Sequence, residues 1–189
     1  MNNPKKIEGL LKIIDKGIDV QSYQELHWEG NFNEYLEIVT DNPGIARNSF
    51  QRLYDMVISH GQEKYQEHRE TIIRYRFFDD LFGNGHDAIY GLEKSLTRLI
   101  NAIKSAAYGY GSEKRIFLLH GPVGSSKSTI VRLMKKGLEA YSKTKEGIMY
   151  SYSWREEGKD SYIDCPMNED PFHLVPQDTR DNLLREINK

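Results

Sequence analysis

The chain has 189 residues, enough for one globular core or for a small helical region beside part of a larger domain. Its 26 basic and 28 acidic residues nearly balance, which argues against a nucleic-acid-binding arm or a polybasic membrane anchor. The single cysteine, Cys165, excludes an internal disulfide and favours a reducing, cytoplasmic setting. No run approaches the roughly 20 apolar residues of a membrane span, so we expect a soluble protein.

The first part of the chain, residues 1–70, predicts an N-terminal helical region. Apolar residues recur with helical spacing over residues 7–18 and again in NFNEYLEIVTD. The segment DNPGIARNSFQRLYDMVISHG then predicts one helix with Asn42 as its cap, Pro43 in its first turn and Gly61 at its end. These helical faces need a surface on which to pack, so we expect a small helical bundle.

The second part, residues 71–189, predicts the beginning of an α/β domain. After a polar connector over residues 62–70, TIIRYRFF favours a short strand and LEKSLTRLINAIKSAAYG a helix. The apolar run RIFLLH is typical of a buried parallel strand. A helix from about Lys127 to Tyr141 and a second strand, GIMYSYSW, would complete one βαβ unit. The chain closes with a further predicted helix, QDTRDNLLREINK.

The connection between the predicted strand and helix has the composition of a phosphate-binding loop. Its glycines lack a β-carbon, so backbone N–H groups can surround anionic oxygens. Lys127 would reach the β- and γ-phosphates, Ser128 would offer its hydroxyl to Mg²⁺, and Thr129 would offer its backbone N–H. The alternative is a turn that merely caps a helix beside a solvated lysine. The expected nucleotide-binding residues are Gly121, Pro122, Val123, Gly124, Ser125, Ser126, Lys127, Ser128 and Thr129.

Ser126 departs from the usual pattern, which has glycine directly before the lysine. A side chain at this position would be forced into a positive φ that only glycine adopts freely, at a cost of about 1 kcal/mol. Alternatively, the serine hydroxyl would add a hydrogen bond to the phosphates. Both interpretations keep nucleotide binding at the loop.

An upstream turn, Ile89, Tyr90 and Gly91, is a second candidate part of the site. In many ATPases of the AAA+ type, a short apolar turn ahead of a helix covers the adenine base. These three residues precede the helix LEKSLTRLINAI in the corresponding position. A hydrophobic loop that packs on the core would have the same composition, and both interpretations stay open.

Catalytic residues are not assigned by the sequence. An ATPase needs an acidic residue at the end of a second apolar strand to hold Mg²⁺ and orient water, and Asp164 is the nearest candidate, in a short polar stretch. Cys165 and His173 would supply at most half of a zinc site. The motifs of conventional protein kinases are absent. The sheet of a P-loop domain normally has about five strands, and the sequence predicts fewer. We therefore expect an incomplete domain.

Several segments, in order, resemble one protein family. They are WEGNFNEYLEIVTDNPGIARNSFQRLYDM, LFG, GLEKSLTRLI, GPVGSSKSTIVRLMKKGLEAY and CPMNEDPFHLVP. Together they resemble the N-terminal AAA domain of PrkA-type bacterial serine protein kinases, from about Leu26 to about Arg180. The resemblance implies an α/β fold with an AAA+-like P-loop NTPase core, preceded by the N-terminal helical region.

The resemblance also implies a function. The family is cytoplasmic, binds ATP with Mg²⁺ and is described as transferring phosphate to serine or threonine residues of a protein substrate. Longer members continue into a kinase-like region that this chain lacks, so we expect the isolated chain to be inactive. A homo-oligomeric ring is expected by analogy alone. The alternatives are a mechanochemical AAA+ ATPase that remodels or degrades protein partners, and a non-catalytic ATP-binding interaction module. We expect no nucleic-acid or membrane partner.

Overall fold

The computed structural model describes residues 27–67, 69–156, 158 and 161–187. The helix predicted over residues 7–18 lies outside the described residues. The chain forms two compact units, Met1–Ile38 and Val39–Lys189. The boundary predicted at residue 70 stays a prediction. Among the described residues, every helix is too short or too polar to cross a membrane.

Helix α1, Phe32–Asp41, confirms the helix predicted from NFNEYLEIVTD. Its start is fixed by Asn31, whose side-chain oxygen accepts hydrogen bonds from the backbone N–H groups of Asn33 (3.0 Å) and Glu34 (3.1 Å). The Glu34 carboxylate in turn accepts from the Asn31 N–H at 2.9 Å. This reciprocal arrangement satisfies N–H groups that a helix start leaves without intrahelical acceptors.

The single helix predicted to start at Asn42 was wrong, because the segment forms two helices. Asn42 does act as a cap, accepting from the Gly44 N–H at 3.2 Å, but it caps only a short 3₁₀ helix, Pro43–Ala46. Helix α2, Ser49–Ser59, has its own cap at Asn48, which exchanges two 2.9 Å hydrogen bonds with Gln51. An asparagine followed three residues later by glutamine is a helix-start signal. Here it begins a new helix after Asn48, so the helix that starts at Pro43 does not continue through this position.

An antiparallel hairpin follows, formed by strands β1, Gln62–Glu67, and β2, Glu70–Tyr75. The strand predicted from TIIRYRFF is confirmed only to Tyr75, because a 3₁₀ helix, Arg76–Asp79, follows. The polar connector predicted over residues 62–70 was wrong. Its first residues lack apolar alternation, yet they pair through the backbone with β2, whose Ile72 and Tyr75 are buried.

Helices α3, Glu93–Ala107, and α4, Lys127–Tyr141, confirm the two helices predicted on either side of the candidate phosphate loop. Each buries one apolar face, as helical spacing requires. Their buried residues share one core with α2, the hairpin and the 3₁₀ helix at Arg76–Asp79. The buried members of this core are Met56, Val57, Tyr75, Phe77, Phe78, Ile89, Leu96, Ile100, Ile103, Ile130 and Leu133.

The predicted βαβ unit is not present among the described residues, whose strands form two antiparallel pairs. Residues 115–120, expected as a buried parallel strand, are unpaired, and Ile116 and Leu118 are 96% and 84% exposed. From GIMYSYSW, only Ser153 and Trp154 enter a strand, β3 (Ser153–Arg155), which pairs antiparallel with β4 (Tyr162–Asp164). A buried parallel strand needs a neighbour on each edge, and the described part of the chain supplies none.

Arg52 fastens α2 to the segment that follows α4. Its buried guanidinium donates to the carbonyls of Gly147 (3.1 Å) and Ile148 (3.0 Å). The same side chain donates to the carbonyls of Ile45 and Arg47. A buried cation is tolerated where acceptors surround it, and these carbonyls provide such a shell.

The C-terminal helix α5, Gln177–Ile187, confirms the last predicted helix.

Candidate nucleotide-binding site

The candidate phosphate loop turns sharply at the start of α4. Gly124 has a φ of 82°, and Ser126, the residue before the helix, has φ 57° and ψ 13°. Both values lie in the left-handed region that favours glycine. The strain expected at Ser126 is therefore confirmed in its geometry. The serine side chain makes no capping hydrogen bond to the helix.

The Lys127 ammonium lies within the loop. Its Nζ donates to the carbonyls of Gly121 (2.9 Å) and Pro122 (2.5 Å) and to the Ser125 hydroxyl at 2.9 Å. The Ser125 hydroxyl also donates to the Pro122 carbonyl at 2.8 Å. These contacts place a positive charge inside the concave side of the turn, which argues against the alternative of a solvated lysine.

The start of α4 adds backbone donors beside this charge. The first hydrogen bond of the helix runs from the Ile130 N–H to the Ser126 carbonyl at 2.9 Å. The N–H groups of Lys127, Ser128 and Thr129 therefore have no intrahelical acceptor, as in the first turn of any α-helix. Backbone donors and the positive end of the helix dipole together favour an anion at this position. Val123, at the tip of the loop, is fully exposed.

The upstream turn divides between the core and the surface. Ile89 is 5% exposed, belongs to the core cluster and donates its N–H to the Phe78 carbonyl at 2.9 Å. Tyr90 is 64% exposed, and the Arg74 guanidinium lies 5.1 Å from the centre of its ring. Gly91 has a φ of 76°. The core-packing interpretation thus applies to Ile89, whereas a role of the turn in covering a base stays a prediction.

An ion-pair cluster, which the sequence reasoning missed, joins this turn to α4. The Asp87 carboxylate accepts from Arg132 Nε at 2.9 Å and from Arg132 Nη2, and also from Lys136 Nζ at 3.2 Å. The hydrogen bonds and charges of Arg132, followed by those of Lys136, hold the pKa of the Asp87 carboxyl well below its usual range despite its burial. The signal was available in part, since residues 132 and 136 share one helical face.

The other singled-out residues do not converge on a second site. Asp164 ends the exposed strand β4 instead of following a buried parallel strand. Cys165 is buried, and backbone N–H groups of Glu169 and Met167 lower the pKa of its thiol. His173 Nδ1 lies 3.5 Å from a Glu169 oxygen. Within the described ranges, no three or more His, Cys, Asp or Glu side chains are grouped to hold a metal ion.

The described residues form a mixed α/β domain of helices and two small sheets. The family model of the PrkA AAA domain matches residues 30–188. The chain therefore belongs to the PrkA AAA domain family. The expected family is confirmed.

Two of the similar proteins carry names that point to different activities. The chain is 39% identical over 178 residues to the ATP-dependent protease PrkA of Bacillus subtilis (strain 168), covering 94% of this chain and 25% of that protein. It is 28% identical over 117 residues to the serine/threonine kinase YeaG of Escherichia coli (strain K12), covering 61% of this chain and 15% of that protein. The chain thus spans about a quarter of the Bacillus relative. No solved structure matches it.

Proposed function

We propose that this chain binds ATP with Mg²⁺ through residues 121–129, as the AAA domain of a PrkA-type serine protein kinase. The observation that carries the proposal is the Lys127 ammonium, held inside the loop by the Gly121 and Pro122 carbonyls at the N-terminus of α4. A cation, a turn with left-handed glycine geometry and unpaired helix N–H groups together form a site for a phosphate chain. The AAA family to which the chain belongs supports this assignment.

Each loop residue has a definite role in this proposal. Lys127 exchanges its contacts with the loop carbonyls for the β- and γ-phosphate oxygens. Ser128, which is exposed at the first turn of α4, offers its hydroxyl to Mg²⁺. Backbone N–H groups of residues 121–129, except Pro122, which has none, surround the phosphates, and the exposed Tyr90 of the upstream turn Ile89–Gly91 lies against the base. Mg²⁺, when held by the Ser128 hydroxyl, would supply charge neutralisation to the phosphates.

The proposed fold is a P-loop core, with an N-terminal helical region over residues 1–70 and the first part of the ATP-binding domain over residues 71–189. In this arrangement, residues 115–120 hold the position of the strand that leads into the loop. Their alternation supports the assignment, because Leu119 packs against the core while Ile116 and Leu118 face solvent. The location of the protein is proposed to be cytoplasmic.

We further propose that the ATP serves phosphorylation of protein serine or threonine residues, and that a ring of copies is the assembled form. The name of the Escherichia coli relatives supports the kinase activity.

The second candidate is ATP-dependent remodelling or proteolysis. The name of the Bacillus subtilis relative, which is similar over a larger part of this chain, favours it. The third is a non-catalytic ATP-binding interaction module, since Asp164 does not follow a buried strand. No catalytic base is assigned.

Titration calorimetry with Mg·ATP tests the binding proposal. Lys127→Ala should abolish measurable binding, because it removes the cation from the phosphate site. Lys135→Ala is the matched control, since Lys135 is exposed on the same helix and its loss should leave affinity unchanged. Equal affinity in the wild type and Lys127→Ala would contradict the proposal.

A second experiment separates the candidate activities. The protein at its full natural length is incubated with ATP labelled on the γ-phosphate and with a protein mixture. A kinase transfers the label to protein, whereas a remodelling ATPase or protease releases it as phosphate. Binding without either outcome would favour the interaction module.

A further inference from the structure

We propose that the Asp87–Arg132 ion pair is a positioning device that sets the preference of the nucleotide site for an adenine base. The pair fixes the turn Ile89–Gly91 relative to the helix that begins at Lys127. The inference rests on the proposed function, because it concerns base selection at the same site. Asp87 and Arg132 act through the turn and touch neither base nor phosphate.

The first step is the internal order of the segment that leads to the turn. Asp80 is fully buried and accepts hydrogen bonds from the backbone N–H groups of Gly83 (3.0 Å) and Asp87 (2.8 Å). Its carbonyl accepts from the Gly85 N–H at 3.0 Å and shares the Gly83 N–H, at 3.2 Å, with the carboxylate. A β-carbon at residue 83 would lie 2.3 Å from Asp80 Oδ2, so this close packing requires glycine. The segment from Asp80 to Asp87 is therefore a closed, preorganised loop.

The second step is the attachment of this loop to α4. Asp87 is 8% exposed, and its two carboxylate oxygens receive Nε and Nη2 of Arg132, the geometry in which arginine binds a carboxylate most specifically. Lys136, one turn further along, adds a single contact at 3.2 Å. Arg132 belongs to the same helix as Lys127, so the pair joins the loop directly to the element that carries the phosphate site.

The third step is the presentation of the turn. Two residues after Asp87, Ile89 is anchored in the core that also contains Ile130 of α4, and its N–H binds the Phe78 carbonyl. The next residue, Tyr90, is exposed. The chain is thus fixed at Asp87 and at Ile89 immediately before the surface residues of the turn. Loss of the ion pair removes the direct attachment of Asp87 to α4, while the Asp87 N–H stays bound to Asp80, and it leaves the phosphate loop itself unchanged.

This arrangement makes a distinctive prediction about affinity. The wild type and the variants Arg132→Gln and Asp87→Asn are titrated with Mg·ATP, Mg·GTP and Mg·tripolyphosphate, which has no base. Each variant should bind ATP about tenfold more weakly, the equivalent of one lost charge-assisted contact, and should bind tripolyphosphate as the wild type does. The preference for ATP over GTP should fall as well. The double variant should behave as the single ones, because both act through one contact.

The controls distinguish positioning from general stability. Lys136→Gln removes the weaker contact and should change the affinity ratio less, whereas Lys135→Gln should not change it. If Asp87→Asn fails to fold, Arg132→Gln carries the test alone. A parallel loss of ATP and tripolyphosphate binding, or an unchanged preference in all variants, would overturn the inference and leave the phosphate site of the proposed function standing. A wild type that binds neither ligand would overturn both.

Discussion

Gly137 of α4 lies directly against Phe77, so closely that a β-carbon on the glycine would sit 2.4 Å from Phe77 Cε2. The same β-carbon would lie 2.7 Å from Met56 Sδ, and both neighbours are fully buried. The absence of a side chain at this one position lets α4 approach the core. The helix begins ten residues earlier, at Lys127, so the position of the candidate phosphate loop that leads into it depends on this contact.

Gly137→Ala should therefore destabilise the fold. Alanine improves helix propensity by about 1 kcal/mol, but overpacking a full core costs about 1–3 kcal/mol, so a net loss of about 1 kcal/mol in the free energy of unfolding is expected. Urea denaturation measures it. The double variant with Phe77→Leu should recover part of the loss, because leucine removes the ring atoms in the way. A Gly137→Ala protein more stable than the wild type would contradict this expectation. It would mean that α4 can shift away from the core at little cost.

Ser126→Gly should stabilise the protein. The serine has a φ of 57°, and relief of that strain should raise the free energy of unfolding by up to about 1 kcal/mol, with ATP affinity equal or better. Ser126→Ala separates the two interpretations of this residue, since it removes the hydroxyl and keeps the strain. A large loss of ATP affinity in both variants would mean that the hydroxyl binds the phosphates. Thermal unfolding and calorimetry provide the readings.

The contribution of Asp87 to stability should depend on pH. Arg132 and Lys136 lower the pKa of this carboxyl in the folded state, while the unfolded chain has the ordinary value of about 4. The stabilisation is then fully present above the ordinary value and is lost as the pH falls towards the lowered one. The other titratable groups nearby are His86, whose Nδ1 lies 3.5 Å from Asp87 Oδ1, and the buried Asp80.

Urea denaturation of the wild type and Asp87→Asn between pH 3 and 7, an interval that brackets that ordinary value of about 4, tests this dependence. The difference in the free energy of unfolding should be constant at the upper end and should shrink below about pH 4. Over the same fall in pH, Arg132→Gln should lose less of its free energy of unfolding than the wild type does. One of the two cations that stabilise the Asp87 carboxylate is already missing in this variant. A difference that does not vary with pH would contradict the assigned ion pair.

Residues 115–120 should make the chain associate with itself. Ile116 and Leu118 are almost fully exposed, and no backbone hydrogen bond joins residues 116–119 to other described residues. An apolar segment with open edges is a template for intermolecular strand pairing. Replacing both residues by lysine should lower the apparent mass in light scattering across a concentration series. The control Met167→Lys, at an exposed apolar residue elsewhere, should leave the apparent mass unchanged. Equal association of the wild type, the double lysine variant and Met167→Lys would show that residues 115–120 do not cause the association.

The sequence predicted those features that depend on neighbouring residues. Helices α3 and α4 follow from apolar spacing, and the strain at Ser126 follows from its position before Lys127. Strand pairing was predicted poorly, because it depends on partners that are distant or lack a pattern. Gln62–Glu67 is polar yet paired, while residues 115–120 are apolar yet unpaired.

The candidate site was predictable in the same uneven way. The turn that leads into α4 could be predicted from spacing and glycines alone, whereas the contact between Asp87 and Arg132 joins residues 45 positions apart and has no local signature. The break at Asn48 was predictable in principle, since Gln51 follows at the spacing of a capping box. A stronger pattern, the continuous apolar face, concealed it.

The carbonyl contacts of Arg52 have a consequence for folding kinetics. The hydrogen bond from Arg52 to the Gly147 carbonyl closes a loop of chain between residues 95 positions apart. The entropy of closing so long a loop is lost before the contact contributes, so such contacts form late, after the intervening helices. Substitution of Arg52 should therefore mainly accelerate unfolding and should change the folding rate little. A single arginine would thus slow unfolding by holding together two parts of the chain that are distant in sequence.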